Sequence, residues 1–255
     1  MEPMADPPSK SLDVLGIKPV GDAVNAVTEG VVKGASAFLS RICLPACEEF
    51  GLLLRDKVSA WRARNAVQIT QRAERKLNES GAGDVHAHPR LVGQILEQGS
   101  WSDDETVQEL WAGLMASSCD AEGRDDSNMM FVDLLSRLSV SQVRILNYAC
   151  QNAVKRVSAA GWLTADELSL SLEKLKEISG VSDFHRLDRE LDHLRTFGLF
   201  PDLGGGFSPH STFAGITPSS LALHMFARCN GYRGDPPSFY TLTANPDPEV
   251  PSSQR

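Results

Sequence analysis

The chain has 255 residues, of which 42% are hydrophobic and 23% charged, and this composition is typical of a globular protein rather than a disordered one. Its formal net charge of −8 disfavours nonspecific binding of the whole molecule to nucleic acid. Proline and acidic residues stand where a secretory signal would need basic and apolar ones, and five scattered cysteines suit reduced thiols, so we expect a cytoplasmic protein.

Two long amphipathic helices are predicted within a helical arm at 11–80, after a flexible tail at 1–10. Apolar residues recur at steps of three or four along 20–42 and again along 50–77, and Pro45 separates the two stripes. Charged residues interrupt the first helix, which therefore cannot span a bilayer. Core packing is the favoured interpretation, and contact with a membrane surface stays open.

The two stripes offer more apolar surface than one adjoining bundle could cover, so we expect a homo-oligomer. The alternative is a monomer in which the two helices fold back on each other around Pro45 and bury the same stripes internally. The positions expected at or near the oligomer contact are Phe38, Ile42, Phe50, Leu54, Val58 and Trp61, with Arg62, Arg64, Arg72 and Arg75 at its rim.

Opposite charges are concentrated in two segments. Residues 51–80 carry seven basic and three acidic residues, whereas residues 97–126 carry nine acidic residues against Arg124 alone. Solvated helix faces are the simplest explanation. The alternatives are that the basic segment pairs with the acidic one, within a chain or between subunits, or that it meets an anionic partner.

A central helical domain is predicted at 86–160, with helices at about 88–98, 103–118, 127–137 and 140–157. The second of these begins with acidic residues and is built around a tryptophan, which we expect in the core. The predicted core residues of this helix are Leu110, Trp111, Leu114 and Met115.

The segment 161–231 has the element order of a small winged-helix-like domain with a short β-hairpin. Thr164 and Glu167 have the spacing of a capping box that would open its first helix. A Pro-rich tail at 232–255 should be an extended strap or disordered. The predicted buried face of the domain's last helix before the hairpin consists of Leu187, Leu191 and Leu194. The fold class is therefore all-α, with this one small β element.

A winged helix suggests a DNA-binding transcriptional regulator, but the charges of the candidate recognition helix argue against specific DNA binding. A DNA reader usually presents a basic surface there. In this helix, Arg186, Arg189 and Arg195 are offset by Asp188, Glu190 and Asp192. We therefore do not expect sequence-specific DNA binding.

No catalytic, cofactor-binding or metal site is predicted. His86 and His88 lie in a loop without further ligands at zinc spacing, and Cys43 and Cys47 flank a proline without a neighbouring histidine. The glycines at 204–206 lack the lysine of a phosphate-binding loop. We do not expect an enzyme, although a hydrolase with a site not visible in the sequence is an alternative.

The order of these segments resembles the Abi-alpha family of bacterial proteins associated with abortive infection by phage. The similarity covers about residues 12–230 and runs through WRARNAVQITQRAERKL, DDETVQELWAGLMAS and LLSRLSVSQVRIL. Its most specific part is ELWAGLM at 109–115. The resemblance implies a role in antiphage defence and brings no catalytic residues. It also implies a phage-derived or defence-system protein as a candidate partner.

Overall fold

The computed structural model describes residues 29–47, 59–201, 205–207 and 212–243. The fold is mainly helical, as the sequence predicted. The helices in chain order are α1 (Glu29–Ile42), α2 (Ser59–Glu79), α3 (Pro89–Gly99), α4 (Glu105–Ser117), α5 (Met129–Ser136), α6 (Val140–Asn152), α7 (Leu172–Ser179), α8 (Phe184–Thr196) and α9 (Ser220–Cys229).

Within the described residues, short antiparallel strands form three small sheets between the helices. One sheet pairs β1 with β2, a second pairs β3 with β4, and the third has the order β5-β7-β6. The strands are β1 (His86–Ala87), β2 (Cys119–Asp120), β3 (Lys155–Val157), β4 (Leu163–Ala165), β5 (Ser169–Ser171), β6 (Gly206–Phe207) and β7 (Phe213–Gly215).

Helix α4 is the central element of the fold. Asp104 caps its first turn, because its Oδ1 accepts hydrogen bonds from the backbone amides of Thr106 (3.0 Å) and Val107 (3.2 Å). All side chains from Leu110 to Ser117 are buried, so this helix is enclosed rather than amphipathic. Helices α2, α3, α5, α6 and α9 pack around it.

The N-terminal helices join the same core. In α1, the side chains of Phe38 and Ile42 are buried, and α1 packs against α2. Among the described helices, none is long and apolar enough to cross a membrane. The predicted tail at 1–10 and the predicted contact residues Phe50, Leu54 and Val58 lie outside the described residues.

Helix α6 is shorter than predicted. The sequence pattern indicated a helix over 140–157, but α6 ends at Asn152, and Ala153 is extended with φ −63° and ψ 142°. The next residues form β3, in which Lys155 pairs with Ala165 of β4. The ladder satisfies backbone groups that a longer helix would have bonded internally.

The capping box predicted at Thr164 and Glu167 is wrong. Thr164 lies in β4, opposite Arg156 of β3. Helix α7 begins later, and its N-cap is Ser171, whose Oγ accepts a hydrogen bond from the amide of Lys174 at 3.3 Å. Pairing with the neighbouring strand therefore overrides the local helix-start signal.

The C-terminal part combines three helices with the three-stranded sheet. Strand β5 precedes α7, α8 follows, and β6 and β7 come after α8, with β7 in the middle of the sheet. Gly180 links α7 to α8 with φ 71°, a left-handed conformation that suits glycine. At the predicted hairpin turn, Gly205 directly precedes β6. Residues 202–204 and 208–211 lie outside the described residues.

The chain after α9 folds back along that helix as far as Thr243. A 3₁₀ turn at Pro236–Phe239 brings the ring of Phe239 to 6.1 Å from that of Phe226, centroid to centroid. Tyr240 then donates its hydroxyl to the carbonyl oxygen of Leu223 at 2.6 Å. The rest of the predicted Pro-rich tail, 244–255, lies outside the described residues.

Candidate interaction surface

The basic helix α2 pairs with acidic residues of the same chain. Near its start, Arg62 contacts Glu97 of α3 through Nη2 and Oε2 at 2.9 Å, and its Nε donates to Ser100 Oγ at 3.0 Å. Of the alternatives left open by the sequence, pairing of the basic segment with the acidic one within the chain therefore applies to Arg62.

A second group of ion pairs converges on Glu109 of α4. Its carboxylate lies 3.5 Å from Arg72 Nε, 3.5 Å from Arg75 Nη2 and 3.0 Å from Lys76 Nζ, and Arg72 also donates to the carbonyl oxygen of Glu105 at 3.0 Å. Such partly exposed pairs contribute roughly 0–1 kcal/mol each. Their main consequence is to fix the register of α2 along α4.

A buried polar contact strengthens the same seam. Asn65, the polar residue inside the apolar stripe of α2, donates to the carbonyl oxygen of Ser100 at 3.0 Å. Its Oδ1 accepts a hydrogen bond from Gln108 Nε2 at 3.3 Å, and the same Nε2 donates to the carbonyl oxygen of Ser102 at 2.9 Å. A buried amide needs such partners, so Asn65 ties α2 to the segment between α3 and α4.

Two tryptophans are exposed at the end of this seam. Trp61 is 37% exposed and Trp101 is 53% exposed, and their ring centroids are 6.4 Å apart. The guanidinium carbon of Arg62 lies 4.2 Å from the ring centroid of Trp101. We call Trp61, Arg62, Arg64 and Trp101 the tryptophan patch. Arg62 is held by Glu97 and Ser100, so the patch is built on a fixed side chain rather than a free one.

The other predicted contact residues are placed as follows. Phe38 and Ile42 are buried within the chain's own core. Arg64 is exposed on α2, while Arg72 and Arg75 contact Glu109. Trp101 was not among the predicted residues, because it belongs to no apolar stripe. The sequence does contain a signal for Trp101. It is a large aromatic residue in the otherwise polar run SWSDD, outside any apolar stripe.

The predicted core residues lie inside the protein. Trp111 is 2% exposed, and a Cβ placed on Gly99 would lie 3.0 Å from its Cγ and 2.9 Å from Cδ1 of Ile69. Its ring therefore sits beside the end of α3 and close to α2. The other predicted core residues, Leu110, Leu114, Met115, Leu187, Leu191 and Leu194, are also buried.

Several charged residues of α8 are paired within the chain. The carboxylate of Glu190 accepts hydrogen bonds from Ser139 Oγ at 2.9 Å and Ser141 Oγ at 3.0 Å at the start of α6. Arg186 Nε also bonds this carboxylate at 3.4 Å, and Arg195 pairs with Asp192. Of the three arginines named from the sequence, Arg189 alone has no such pair among the described residues.

The residues considered for catalysis or metal binding have structural roles. His88 caps α3, because its Nδ1 accepts a hydrogen bond from the amide of Arg90 at 3.3 Å, and His86 forms part of β1. Burial raises the pKa of the Cys119 thiol to about 12, which disfavours a nucleophilic thiolate. Cys43 and Cys47 are likewise buried. Within the described residues, no three His, Cys, Asp or Glu side chains are grouped to hold a metal ion.

Comparison with known families identifies a match. The family model described as abortive infection alpha matches residues 62–205, which run from the start of α2 to the residue before β6. This range includes the α2–α4 seam, Trp101 of the patch but not Trp61, and the core around Trp111. Neither the curated proteins nor the solved structures give a significant match.

Proposed function

This chain belongs to the abortive infection alpha family, and from that premise we propose that it acts in antiphage defence, in the cytoplasm, by binding and self-assembly rather than by catalysis. The observation that carries the proposal is the tryptophan patch. Tryptophan and arginine are the residues most enriched at the energetic centres of protein interfaces. An exposed pair of tryptophans, one of which packs against a fixed arginine, is suited to such a centre.

We propose a second copy of the chain as the occupant of this patch. Arg64 is exposed on the same helix and makes no ion pair among the described residues. On the acidic side, Glu97 and Glu109 are used in the seam with α2, whereas Asp125 is exposed in the loop after β2 and makes no ion pair among the described residues. The two signs of charge left on the surface would orient two copies, while the tryptophans would supply the affinity.

The first prediction concerns the oligomeric state. Light scattering on the purified full-length chain at tens of micromolar should give a multiple of 27.7 kDa. Replacing both Trp61 and Trp101 by alanine should shift the mass to that of a monomer, because truncating an interface centre costs about 2 kcal/mol or more of association free energy per residue.

Trp162→Ala is the matched control. Trp162 is 67% exposed but lies in the turn between β3 and β4, so its loss removes the same aromatic surface from another site. We expect this variant to keep the wild-type mass. A monomeric wild-type chain, or a double variant that stays associated while folded, would contradict self-assembly through the patch.

The same variants test the defence function. Cells that carry the gene should show fewer plaques with a panel of phages than cells without it, and the culture should survive while infected cells die. The Trp61→Ala/Trp101→Ala variant should lose this protection, and Trp162→Ala should keep it. Protection that persists in a monomeric double variant would separate defence from assembly. A phage-derived or defence-system protein is then the partner to seek.

We further propose a winged-helix module used for protein contact, formed by α7, α8 and the sheet β5-β7-β6 of the predicted domain at 161–231 together with α6, which the sequence had assigned to the central domain. Two features support this interpretation. Strand β7 lies in the middle of the sheet, and α8 comes directly before the β6–β7 hairpin in the chain. The runner-up function is DNA binding by α8, which the internal pairing of Arg186 and Arg195 disfavours.

The second prediction is that the protein does not bind duplex DNA tightly. Fluorescence anisotropy at about 150 mM salt should give no submicromolar affinity, and weaker binding at low salt should disappear as salt is added, because phosphate contacts are salt-dependent. Submicromolar binding that is abolished by Arg186→Ala and Arg189→Ala, but kept by Arg124→Ala in a distant loop, would instead establish the module as a DNA reader.

A further inference from the structure

A cavity of about 410 Å³ lies between the end of α6 and the segment that follows α9. One side is formed by residues 150–151 and 153–155, and the other by residues 239–241 and Thr243, with Phe226 of α9 also lining it. Neither the tryptophan patch nor α8 contributes to it. Its volume falls in the range of small-molecule sites, roughly 300–1,000 Å³.

The wall formed by the C-terminal segment is tied down at several points. Phe239 packs against Tyr240 with ring centroids 4.9 Å apart, and the Tyr240 hydroxyl is bonded to Leu223. Further along, the amide of Thr243 donates to the carbonyl oxygen of Lys155 at 3.0 Å. The cavity is therefore held open by hydrogen bonds and ring contacts.

The ammonium group of a buried lysine lies beside one of these aromatic rings. Lys155 is 8% exposed, and its Nζ donates to the carbonyl oxygen of Gln151 at 3.0 Å and lies 5.4 Å from the ring centroid of Tyr240. Among the described residues, no carboxylate lies within ion-pair distance of this ammonium. Burial accordingly lowers the pKa of Lys155. A buried cation without an anion is costly, and a bound anion would offset that cost.

We propose that this cavity binds a small anionic ligand with an aromatic body, whose carboxylate or phosphate contacts Lys155 Nζ and whose ring packs against Phe226, Phe239 and Tyr240. The ammonium has hydrogens left after its bond to Gln151, and these can donate to anion oxygens. The aromatic wall gives the ring an apolar surface. Charge and shape together select an aromatic acid or an aromatic phosphate monoester over a neutral compound.

Fluorine NMR on the full-length protein tests this site with three probes of similar size. These are 4-fluorobenzoate, 4-fluorophenyl phosphate and the neutral 4-fluorobenzyl alcohol. We expect saturable binding of at least one anion, at least about tenfold tighter than that of the alcohol, because a charge-assisted hydrogen bond is lost with the neutral probe. Whichever anion binds more tightly identifies the head group as carboxylate or phosphate.

Substitutions at Lys155 locate the binding. Lys155→Met should weaken anion binding at least about tenfold and leave the alcohol unchanged, whereas Lys155→Arg should keep the preference for the anion. Lys174→Met is the matched control, since Lys174 pairs with Glu177 on α7. No saturable anion binding by the wild type, or equal binding by a folded Lys155→Met variant, would overturn the proposal.

A measurement on the wild-type chain alone covers the case in which Lys155→Met fails to fold. Lysine acetylation is followed by mass spectrometry with and without the tighter anion. Protection of Lys155 at saturating anion, with Lys174 labelled equally in both samples, supports the site. Equal labelling of Lys155 with and without the anion overturns it.

Discussion

Replacing Trp111 by alanine should lower the free energy of unfolding by about 3–5 kcal/mol, the range typical for deleting a buried aromatic side chain. The ring lies in the helix around which five others pack, and it borders Gly99 and the α2 side of the core. Its removal leaves a cavity that these helices can fill only in part. In a chain of this size, the loss corresponds to a fall in melting temperature of roughly 6–20 °C.

Two further variants distinguish the effect of the cavity left by Trp111 from a general effect of losing a tryptophan. Trp162→Ala removes an exposed ring and should change the unfolding free energy by less than about 0.5 kcal/mol. Trp111→Phe keeps most of the buried volume and should fall between alanine and the wild type. If the Trp111→Ala variant had the same melting temperature as the wild type, this ring would not be part of the core.

The helices of the central region could be predicted from the sequence because their signals are local. Apolar spacing, the proline at the first turn of α3 and the acidic cap of α4 all lie within a few residues of the helix ends that they set. The predicted bounds of α3, α4 and α5 therefore differ from the observed ones by at most two residues.

Apart from the short hairpin, the strands were not predicted, because their pairing depends on partners that the local pattern does not show. Strand β5 pairs with β7, so that Ser169 lies opposite Gly215. No sequence feature near Ser169 predicts this pairing. The capping-box pattern at Thr164 is a local signal of reasonable quality. It fails because β3 offers that segment a ladder of hydrogen bonds.

The candidate site shows the same division. An apolar stripe predicts that Phe38 and Ile42 are buried but does not say whether the covering surface belongs to the same chain, and in the structure these residues are buried within it. Trp101 was missed because it follows no periodic pattern. The Lys155 cavity was beyond sequence reasoning, since the two segments that form its walls are more than 80 residues apart in the chain.

Gly113 explains part of the ELWAGLM motif, and its replacement by alanine should be strongly destabilising. A Cβ at this position would lie 1.8 Å from the carbonyl oxygen of Cys229 and 3.0 Å from the backbone nitrogen of Asn230, at the end of α9. The overlap is with backbone atoms, so no side-chain rotation can relieve it. Helix α9 would have to move away from α4, and we expect a loss of about 3 kcal/mol or more, at the upper end of overpacking effects.

Gly93→Ala provides the control that makes this prediction specific to the helix contact. Gly93 lies inside α3, and a Cβ there would meet nothing within 4 Å. Alanine is favoured over glycine in a helix by about 1 kcal/mol, so this variant should be slightly more stable than the wild type. Gly113→Ala gains the same stabilisation from helix propensity. The close approach of α4 and α9 is what makes its net effect on stability unfavourable. Chemical denaturation of both variants measures the difference directly. If Gly113→Ala were also stabilising, the two helices would not cross as closely as the structure places them, and the glycine of this motif would need another explanation.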